Sequence, residues 1–301
     1  MTASAAQKRT APLFDPGFLS KLEYFYIISK KVLVGRLRAD RRSRRVGAGL
    51  EFADHRPYSY GDDFRYVDWN LYGRMNRLLL RLFQEEEDLT VYLLVDRSAS
   101  MDHGRFNKFD YALRVVAALT YVALANLDRV HVIPWSDRTA EPLSGPRGKG
   151  QIFRILRALE ELAPGGPTDL AASMRDFVHR FPHKGMAVVV SDFFDPAGCE
   201  PGLKLLRHHG HETFVLQVCD VTDAHPEQLG DLRLRDRESD RERAATVTTA
   251  VLRDYERAFA DFVAGLERFC LSQEIGHIRT LTDVPFEELI LRVFRQGQFL
   301  H

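Results

Sequence analysis

The chain has 301 residues, enough for one large hydrophobic core or two modest ones. Lysine plus arginine and aspartate plus glutamate both number 42, so the formal net charge is zero, which argues against a protein whose whole surface binds nucleic acid. Apolar residues make up 45% of the sequence, a share typical of a folded protein and not of a disordered one.

Residues 1–87 begin with a helical pattern and continue as a loop-rich stretch. Apolar residues recur at intervals of three in residues 16–34, which predicts a helix. Residues 36–45 carry six arginines and one aspartate, and two interpretations stay open: a solvated arm, or a surface that binds phosphate or an acidic partner. Residues 47–73 are rich in glycine, tyrosine, aspartate and arginine with little periodicity, which predicts short strands and ordered loops.

Charged side chains in this loop-rich stretch form either an internal network or an interaction surface. We expect the network, because a segment with a small core often needs polar contacts to hold it. The candidates for ion pairing are Asp63, Asp68, Arg65 and Arg74. An acidic cluster follows at residues 85–88 and is a possible partner for the basic arm.

From residue 89 onward, strand-like and helix-like patterns alternate. The predicted strands cover residues 89–95, 129–135, 186–190, 213–218 and 275–281. The predicted helices cover residues 109–127, 151–162, 170–181, 250–272 and 285–295, and residues 231–243 form a hairpin or a mobile loop. Strands separated by helices imply a parallel sheet. We therefore predict an α/β fold, with a doubly wound, mostly parallel sheet in residues 88–301 and a smaller N-terminal α+β segment in residues 1–87.

Polar side chains follow two of the predicted strands and one helix-to-helix loop. Asp96, Ser98 and Ser100 form an Asp-x-Ser-x-Ser turn after the first strand, Thr168 lies in the loop, and Asp192 follows the strand at 186–190. Open parallel sheets bind ligands outside the carboxyl ends of their strands, so we expect these loops to converge. Hydroxyl and carboxylate oxygens suit Mg²⁺, Mn²⁺ or Ca²⁺ and suit zinc poorly. The sequence therefore predicts a divalent-cation site, with Mg²⁺ as the first candidate.

The first motif taken alone also fits a capping turn, because serine and aspartate side chains bond nearby backbone amides. Its combination with Thr168 and Asp192 favours the cation site. Asp169 and Asp195 lie close by in the sequence, and for each of them two interpretations stay open: a carboxylate that supports the site, or a helix cap or turn residue.

The chain resembles a known family at these residues. The run Asp96-Arg97-Ser98-Ala99-Ser100-Met101, with Thr168 and Asp192, is similar to the metal-ion-dependent adhesion site of von Willebrand factor A domains, and the resemblance covers residues 89–301. An upstream set of motifs resembles the bacterial family called domain of unknown function 58: Gly49-Leu50-Glu51-Phe52, Arg56-Pro57-Tyr58, Gly61-Asp62-Asp63 and Asp68-Trp69.

The resemblance implies a role for each site residue. Ser98 and Ser100 would bind the cation directly, Thr168 directly or through water, and Asp96 and Asp192 would hold metal-bound waters. One departure from the family pattern is Phe193, which stands where a glycine would follow Asp192. We expect this departure to affect the shape of the loop more than the ligation.

The resemblance also implies a function and a partner. It implies a non-enzymatic, cation-dependent protein-interaction module that works as an adaptor with a MoxR-type AAA+ ATPase in the maturation or remodelling of other complexes. A partner Asp or Glu would complete the coordination of the metal. The alternative is a metal-assisted hydrolase that uses Asp96, Ser98, Ser100 and Asp192.

Location follows from cysteine usage and hydropathy. Cys199, Cys219 and Cys270 are widely spaced and form no Cys-x-x-Cys pair, so we expect free thiols in a reducing cytosol. No apolar stretch is long enough to span a bilayer. We therefore expect a cytoplasmic protein, either free or peripheral to the inner membrane, that binds no nucleic acid.

Overall fold

The structure is a computed structural model of the chain, and it describes residues 12–40, 46–47, 51–84, 90–126, 128–144 and 148–296. It divides into two compact units. The larger unit contains the described parts of Met1–Val34 and Leu89–His301, and the smaller unit contains those of Gly35–Asp88.

The strands and helices of the described residues follow in chain order. The strands are β1 (Val46–Gly47), β2 (Glu51–Pro57), β3 (Leu79–Gln84), β4 (Thr90–Asp96), β5 (Arg129–Trp135), β6 (Leu143–Ser144), β7 (Met186–Ser191), β8 (Glu212–Cys219), β9 (Gly230–Arg235), β10 (Glu242–Val247) and β11 (Gly276–Leu281). The helices are α1 (Pro16–Asp40), α2 (Trp69–Met75), α3 (Lys108–Ala125), α4 (Ile152–Glu161), α5 (Leu170–Arg180), α6 (Glu200–His208), α7 (Val221–Ala224), α8 (Thr249–Ser272) and α9 (Phe286–Gln296).

A six-stranded sheet forms the centre of the larger unit. Its strand order is β11-β8-β7-β4-β5-β6, and every neighbouring pair is parallel except β5 with the short β6. The two central strands β4 and β7 are buried almost throughout, which is why their sequences are continuous apolar runs with no alternation. The predicted α/β class and the mostly parallel sheet are confirmed.

Helices cover both faces of this sheet. Val91, Leu93 and Val95 of β4 point to one face, where they share a core with α1, α3, α4 and α9. Tyr92 and Leu94 point to the other face and pack with α5, α6 and α8. The period of two along a strand therefore divides the apolar side chains of β4 between two separate cores. Burial of these side chains is the main stabilising contribution to the unit.

Most of the N-terminal helix, residues 16–34, belongs to the larger unit. Phe18, Leu22 and Phe25 of α1 are buried in the same core as β4, and Phe25 lies edge to face with Phe286 of α9. The division therefore differs from the predicted boundary between residues 1–87 and 88–301. The reason is that the apolar face of α1 packs in the core of the larger unit, which its sequence pattern alone does not indicate.

Polar contacts organise the smaller unit around a sheet of order β1-β3-β2. Asp68 caps α2 by accepting hydrogen bonds from the amides of Asn70 and Leu71, and its other oxygen binds Arg81 at 2.9 Å and His55 at 3.1 Å. The guanidinium of Arg81 is the largest cause holding the pKa of Asp68 well below its usual range.

The ion-pair predictions for this unit are confirmed in one case and corrected in the other. Asp63 pairs with Arg65 at 2.6 Å, as expected. Asp68 pairs with Arg81 and not with Arg65 or Arg74, because β2 and β3 place His55 opposite Arg81 and bring both side chains to Asp68. The acidic cluster 85–88, residues 41–45 of the basic stretch, and Gly49-Leu50 of the upstream motif lie outside the described residues.

The charged stretch 231–243 forms a hairpin, one of its two predicted forms. Strands β9 and β10 pair antiparallel over six residue pairs, from Gly230 opposite Val247 to Arg235 opposite Glu242. In the part of the chain that the structure describes, no helix is long and apolar enough to cross a membrane.

We predict that truncating Phe25 destabilises the sheet unit. Phe25 is fully buried, so Phe25→Ala should lower the free energy of unfolding by about 3–5 kcal/mol through lost burial and the cavity left behind. Tyr24→Ala is the matched control, because Tyr24 is 57% exposed on the same helix turn. Urea unfolding followed by circular dichroism measures both, and equal, small effects would contradict the placement of α1 in this core.

Candidate functional site

The candidate site lies where the order of the strands reverses direction. The chain passes from β4 to β5 on one side, and the next central strand, β7, pairs with β4 on the other side. This divergence leaves a crevice at the carboxyl ends of β4 and β7, which is the ligand position of open parallel sheets. Asp96 is the last residue of β4, and Asp192 follows β7 directly.

The turn after β4 brings its polar groups together within a few ångströms. The Asp96 carboxylate accepts a hydrogen bond from the Ser98 amide at 2.8 Å, which closes the turn. The hydroxyls of Ser98 and Ser100 lie 2.9 Å apart. Asp96 and Ser98 are completely buried, whereas Ser100 is half-buried. The turn therefore presents two adjacent hydroxyl oxygens beside a carboxylate that is shielded from water.

The loop after β7 joins this turn through two contacts. The Ser191 hydroxyl donates to Asp96 at 2.5 Å, and the Ser100 hydroxyl lies 3.5 Å from Asp192 Oδ1. The other Asp192 oxygen accepts a hydrogen bond from Lys108 at 2.7 Å. The structure therefore brings four of the predicted residues together: Asp96, Ser98, Ser100 and Asp192.

The loop carrying Thr168 is attached to the same turn by its backbone. The Ala99 amide donates to the Gly166 carbonyl at 2.9 Å, and the Gly165 amide donates to the Arg97 carbonyl at 2.6 Å. Gly166 has φ +93°, and a side chain there would meet Ser136 Oγ at 3.3 Å, so the loop conformation favours glycine. Thr168 itself is nearly buried, and both its amide and its hydroxyl donate to Glu238 at the tip of the β9–β10 hairpin.

Asp169 and Asp195 hold backbone in this region. Asp169 caps α5 by accepting a hydrogen bond from the Ala172 amide at 2.7 Å. Asp195 accepts hydrogen bonds from the amides of Leu170 and Ala197, both at 2.8 Å. Of the two open interpretations, these contacts support the cap and turn role for both residues.

Phe193 keeps a backbone conformation that normally favours glycine. Its φ is +63°, in the left-handed region, which costs roughly 1–2 kcal/mol for a residue with a side chain. Its ring is buried in the core with α5, α6 and α8, and burial of a phenylalanine is worth about 1.5–3 kcal/mol. Burial offsets the strain, so Phe193 can hold this conformation although it is not a glycine.

Negative charge accumulates in this buried crevice. Burial raises the pKa of Asp96 to about 7, and the neighbouring Asp192 carboxylate adds to the rise. Lys108, only 1% exposed, lies 2.7 Å from Asp192 and 3.1 Å from Asp223 and also faces the ring of Phe194. Burial alone would lower the pKa of Lys108, but these two carboxylates raise it, so the lysine is held as a cation.

The donor set fits a small hard cation. The Ser98 and Ser100 hydroxyls are hydrogen-bonded to each other at 2.9 Å. This is also about the separation of adjacent ligands around Mg²⁺, with bonds of roughly 2.0–2.1 Å at right angles. In the described residues no group of three or more His, Cys, Asp or Glu side chains is placed to hold a metal. The polar groups that the structure brings together here are two hydroxyls and two carboxylates.

Three residues of the site were missed from the sequence. Lys108 opens α3 in a position where a lysine normally faces solvent, and nothing local distinguishes it. Ser191 precedes Asp192, and its position as the last residue of an apolar strand was a usable signal. Glu238 is 70 residues from Thr168 in the chain, so no local pattern connects them.

The carboxylate of Asp220 holds the segment that follows the Ser98–Ser100 turn. Asp220, at the end of β8, accepts hydrogen bonds from the Arg105 amide at 3.1 Å and from Thr222 and Thr282. Gly104 packs against this carboxylate, with φ +104° and no room for a side chain. Burial alone would raise the pKa of Asp220, but the donors from Thr222 and Thr282 hold it well below its usual range.

The fold and the site together define a mixed α/β protein with a hydroxyl and carboxylate cluster at the carboxyl edge of a parallel sheet. The chain belongs to the family described as protein of unknown function DUF58, which matches residues 54–263.

The chain is also similar to curated relatives and to solved structures. An uncharacterized protein of Mycobacterium bovis is 29% identical over 259 residues, covering 84% of this chain and 81% of its own, and one of Mycobacterium tuberculosis matches equally. Among solved structures, the conserved hypothetical protein BatB from Bacteroides thetaiotaomicron is 12% identical, with a TM-score of 0.42 over 69% of this chain and 100% of its own. An aerotolerance-related membrane protein from Bacteroides fragilis is 15% identical, with a TM-score of 0.42 over 70% and 98%.

We predict that Lys108→Met destabilises the protein by about 3–5 kcal/mol in the presence of EDTA, because it leaves Asp192 and Asp223 buried without their cation. Urea unfolding at neutral pH checks this, with exposed Lys204→Met as the control. Equal losses of stability in the two variants would contradict the electrostatic role of Lys108.

We also predict an effect of Asp220 on acid stability. The pKa of Asp220 is lower in the folded protein than in the unfolded chain, so its contribution is complete above the unfolded value and is lost as the pH falls below it. Asp220→Asn should therefore cost roughly 1–3 kcal/mol at neutral pH, and the difference should narrow below about pH 4. Asp261→Asn, at an exposed site, is the control. A constant difference down to low pH would overturn this expectation.

Proposed function

We propose that residues 88–301 form a von Willebrand factor A-like domain that binds a divalent cation and, through it, a carboxylate of a partner protein. The proposal rests on one observation above the others. Two serine hydroxyls, 2.9 Å apart, lie between two completely buried carboxylates at the switch point of the sheet. A capping turn would need the backbone contact of Asp96 but not this convergence with the loop after β7.

The residues divide into two groups by their role. Ser98, Ser100 and Thr168 would hold the cation through hydroxyl oxygens, and Asp96 and Asp192 would hold its waters. Mg²⁺ suits this set because it keeps several waters and needs few protein ligands, and Mn²⁺ or Ca²⁺ would also accept oxygen donors. Bound there, the cation supplies a positive charge and an open coordination position.

The charge of the crevice supports a bound cation. Asp96, Asp192 and Asp223 are buried carboxyls, and Lys108 is the cation found among them. Uncompensated negative charge away from water is costly, so a divalent cation would stabilise the cluster. Neutral hydroxyl ligands would leave much of the metal charge available to a partner carboxylate.

The partner follows from the family resemblance and not from a contact in this chain. Proteins of this type are associated with MoxR-type AAA+ ATPases, so we infer an adaptor that acts with such an ATPase on client complexes. The protein is then a binding module and not an enzyme. A metal-assisted hydrolase at the same residues is the alternative, and a screen of ester and phosphate substrates with added Mg²⁺ or Mn²⁺ separates the two.

Calorimetric titration of Mg²⁺ and Mn²⁺ tests the cation site. We expect saturable binding at one site in the wild type and a loss of affinity on the order of 10–100-fold or more in Ser98→Ala, because one hydroxyl ligand is removed. Ser173→Ala is the matched control, since Ser173 is equally buried and its hydroxyl binds the Ser136 carbonyl. Equal binding by wild type and Ser98→Ala, with both folded, would exclude the proposed ligand set.

Partner capture tests the second part of the proposal. A MoxR-type ATPase from the same source should be retained by the immobilised wild type in Mg²⁺, and released by EDTA. Ser98→Ala should fail to retain it, and Ser173→Ala should retain it. Retention that is indifferent to EDTA and to Ser98 would show that the ATPase, if it binds, uses another surface.

A further inference from the structure

The tip of the β9–β10 hairpin places a carboxylate on the threonine of the candidate site. Both oxygens of Glu238 are engaged: Oε1 lies 2.5 Å from the Thr168 hydroxyl, and Oε2 lies 2.9 Å from the Thr168 amide. The glutamate is half-buried although its neighbours in the tip are exposed. A glutamate with both oxygens used by one residue is positioned by the fold and is not a freely solvated side chain.

The tip is shaped so that Glu238 points toward the site. Asp236 accepts hydrogen bonds from the Glu238 amide at 2.8 Å and the Ser239 hydroxyl at 2.7 Å, which fixes the turn. The next residue toward β9, Arg237, lies 3.7 Å from Asp102, just beyond the Ser98–Ser100 turn. Two side chains of the tip therefore reach two of the loops that form the crevice.

The two strands of the hairpin, unlike its tip, have few contacts that hold them in place. Side chains of β9 and β10 are exposed or half-buried, apart from Val247 at the end of β10. The hairpin thus contributes little to the hydrophobic core, and its position over the crevice depends on polar contacts at the tip. Elements with few buried apolar contacts open at low free-energy cost.

We propose that Glu238 is a built-in carboxylate that occupies the position a partner Asp or Glu would take, so that the β9–β10 hairpin is a displaceable cover of the cation site. This inference rests on the proposed function, because it assigns an internal competitor to the same site. The Thr168 hydroxyl donates its proton to Glu238, which leaves its oxygen lone pairs free for a cation. A partner carboxylate then gains access when the hairpin moves away.

The proposal predicts two opposite effects of one substitution, on the affinity for Mn²⁺ and on the affinity for a soluble carboxylate. Glu238→Ala should bind Mn²⁺ more weakly, by on the order of tenfold, because an anionic ligand is lost. The same variant should accept a soluble carboxylate more readily, because the internal competitor is gone. Glu242→Ala is the matched control, since Glu242 lies in the same hairpin and is exposed.

The experiment uses the full chain with Mn²⁺ and acetate as probes. Calorimetry gives the Mn²⁺ affinity, and water-proton relaxation reports how many exchangeable waters the bound Mn²⁺ carries. We expect Glu238→Ala to carry more bound water than the wild type, and acetate to lower that number and to restore affinity in Glu238→Ala only. Wild type and Glu242→Ala should respond alike and weakly to acetate.

A metal-free measurement tests the cover itself. Hydrogen exchange at the Thr168 amide and in residues 236–241 should be faster in Glu238→Ala than in Glu242→Ala, because the Glu238 contact protects both segments. Unchanged exchange would overturn the proposal whatever the metal does.

The outcomes separate the two proposals. Equal Mn²⁺ affinity, relaxation and acetate response in wild type and Glu238→Ala would overturn the internal ligand and leave the cation site standing. The absence of Mn²⁺ binding in all three proteins would overturn both, because there would be no cation for Glu238 to share.

Discussion

Two buried carboxylates at the carboxyl ends of neighbouring strands determine which other groups the site contains. The pairing of Val95 with Val190 places Asp96 and Asp192 together at the end of β4 and β7, and both are completely buried. Burial raises the pKa of Asp96, and repulsion by the nearby Asp192 carboxylate raises it further. Three nearby groups stabilise the two carboxylates: the Ser98 amide and the Ser191 hydroxyl donate to Asp96, and Lys108 donates to Asp192.

The short segment between β4 and α3 supplies the serine hydroxyls of the site and leads into the lysine that offsets its negative charge. It carries the two serine hydroxyls into the crevice and then returns as α3, whose first residue is Lys108. Asp220 holds its middle by the Arg105 amide, and the Gly166 carbonyl holds its beginning by the Ala99 amide. A segment fixed at both places holds its hydroxyls in one position, which the proposed cation, with its strict geometry, would require.

Much of the fold could be predicted because its signals are local. Buried strands are predicted from the apolar runs of β4 and β7, and a helix is predicted from the periodicity of residues 170–181. A polar motif that follows a buried strand is predicted to lie at the edge of the sheet. The sequence could not assign α1 to the larger unit, because an apolar helix face does not indicate which core it packs against. It also could not identify Lys108, since a lysine at the start of a helix is ordinarily solvated and only the fold brings two carboxylates to it.

The sequence could not identify Glu238 either, because only the fold brings it to Thr168. Its position bears on how selectivity for the proposed partner would arise. Asp96 and Asp192 are fixed by the sheet, whereas Glu238 is carried by a hairpin whose strands are mostly exposed. In the proposed exchange, a partner carboxylate that replaces Glu238 would bring the same charge and would leave the net charge of the crevice unchanged. Electrostatic attraction to the proposed cation would therefore not by itself distinguish the partner from the hairpin. The difference in free energy would have to come from contacts around the crevice, where a partner would bury surface that the hairpin tip does not.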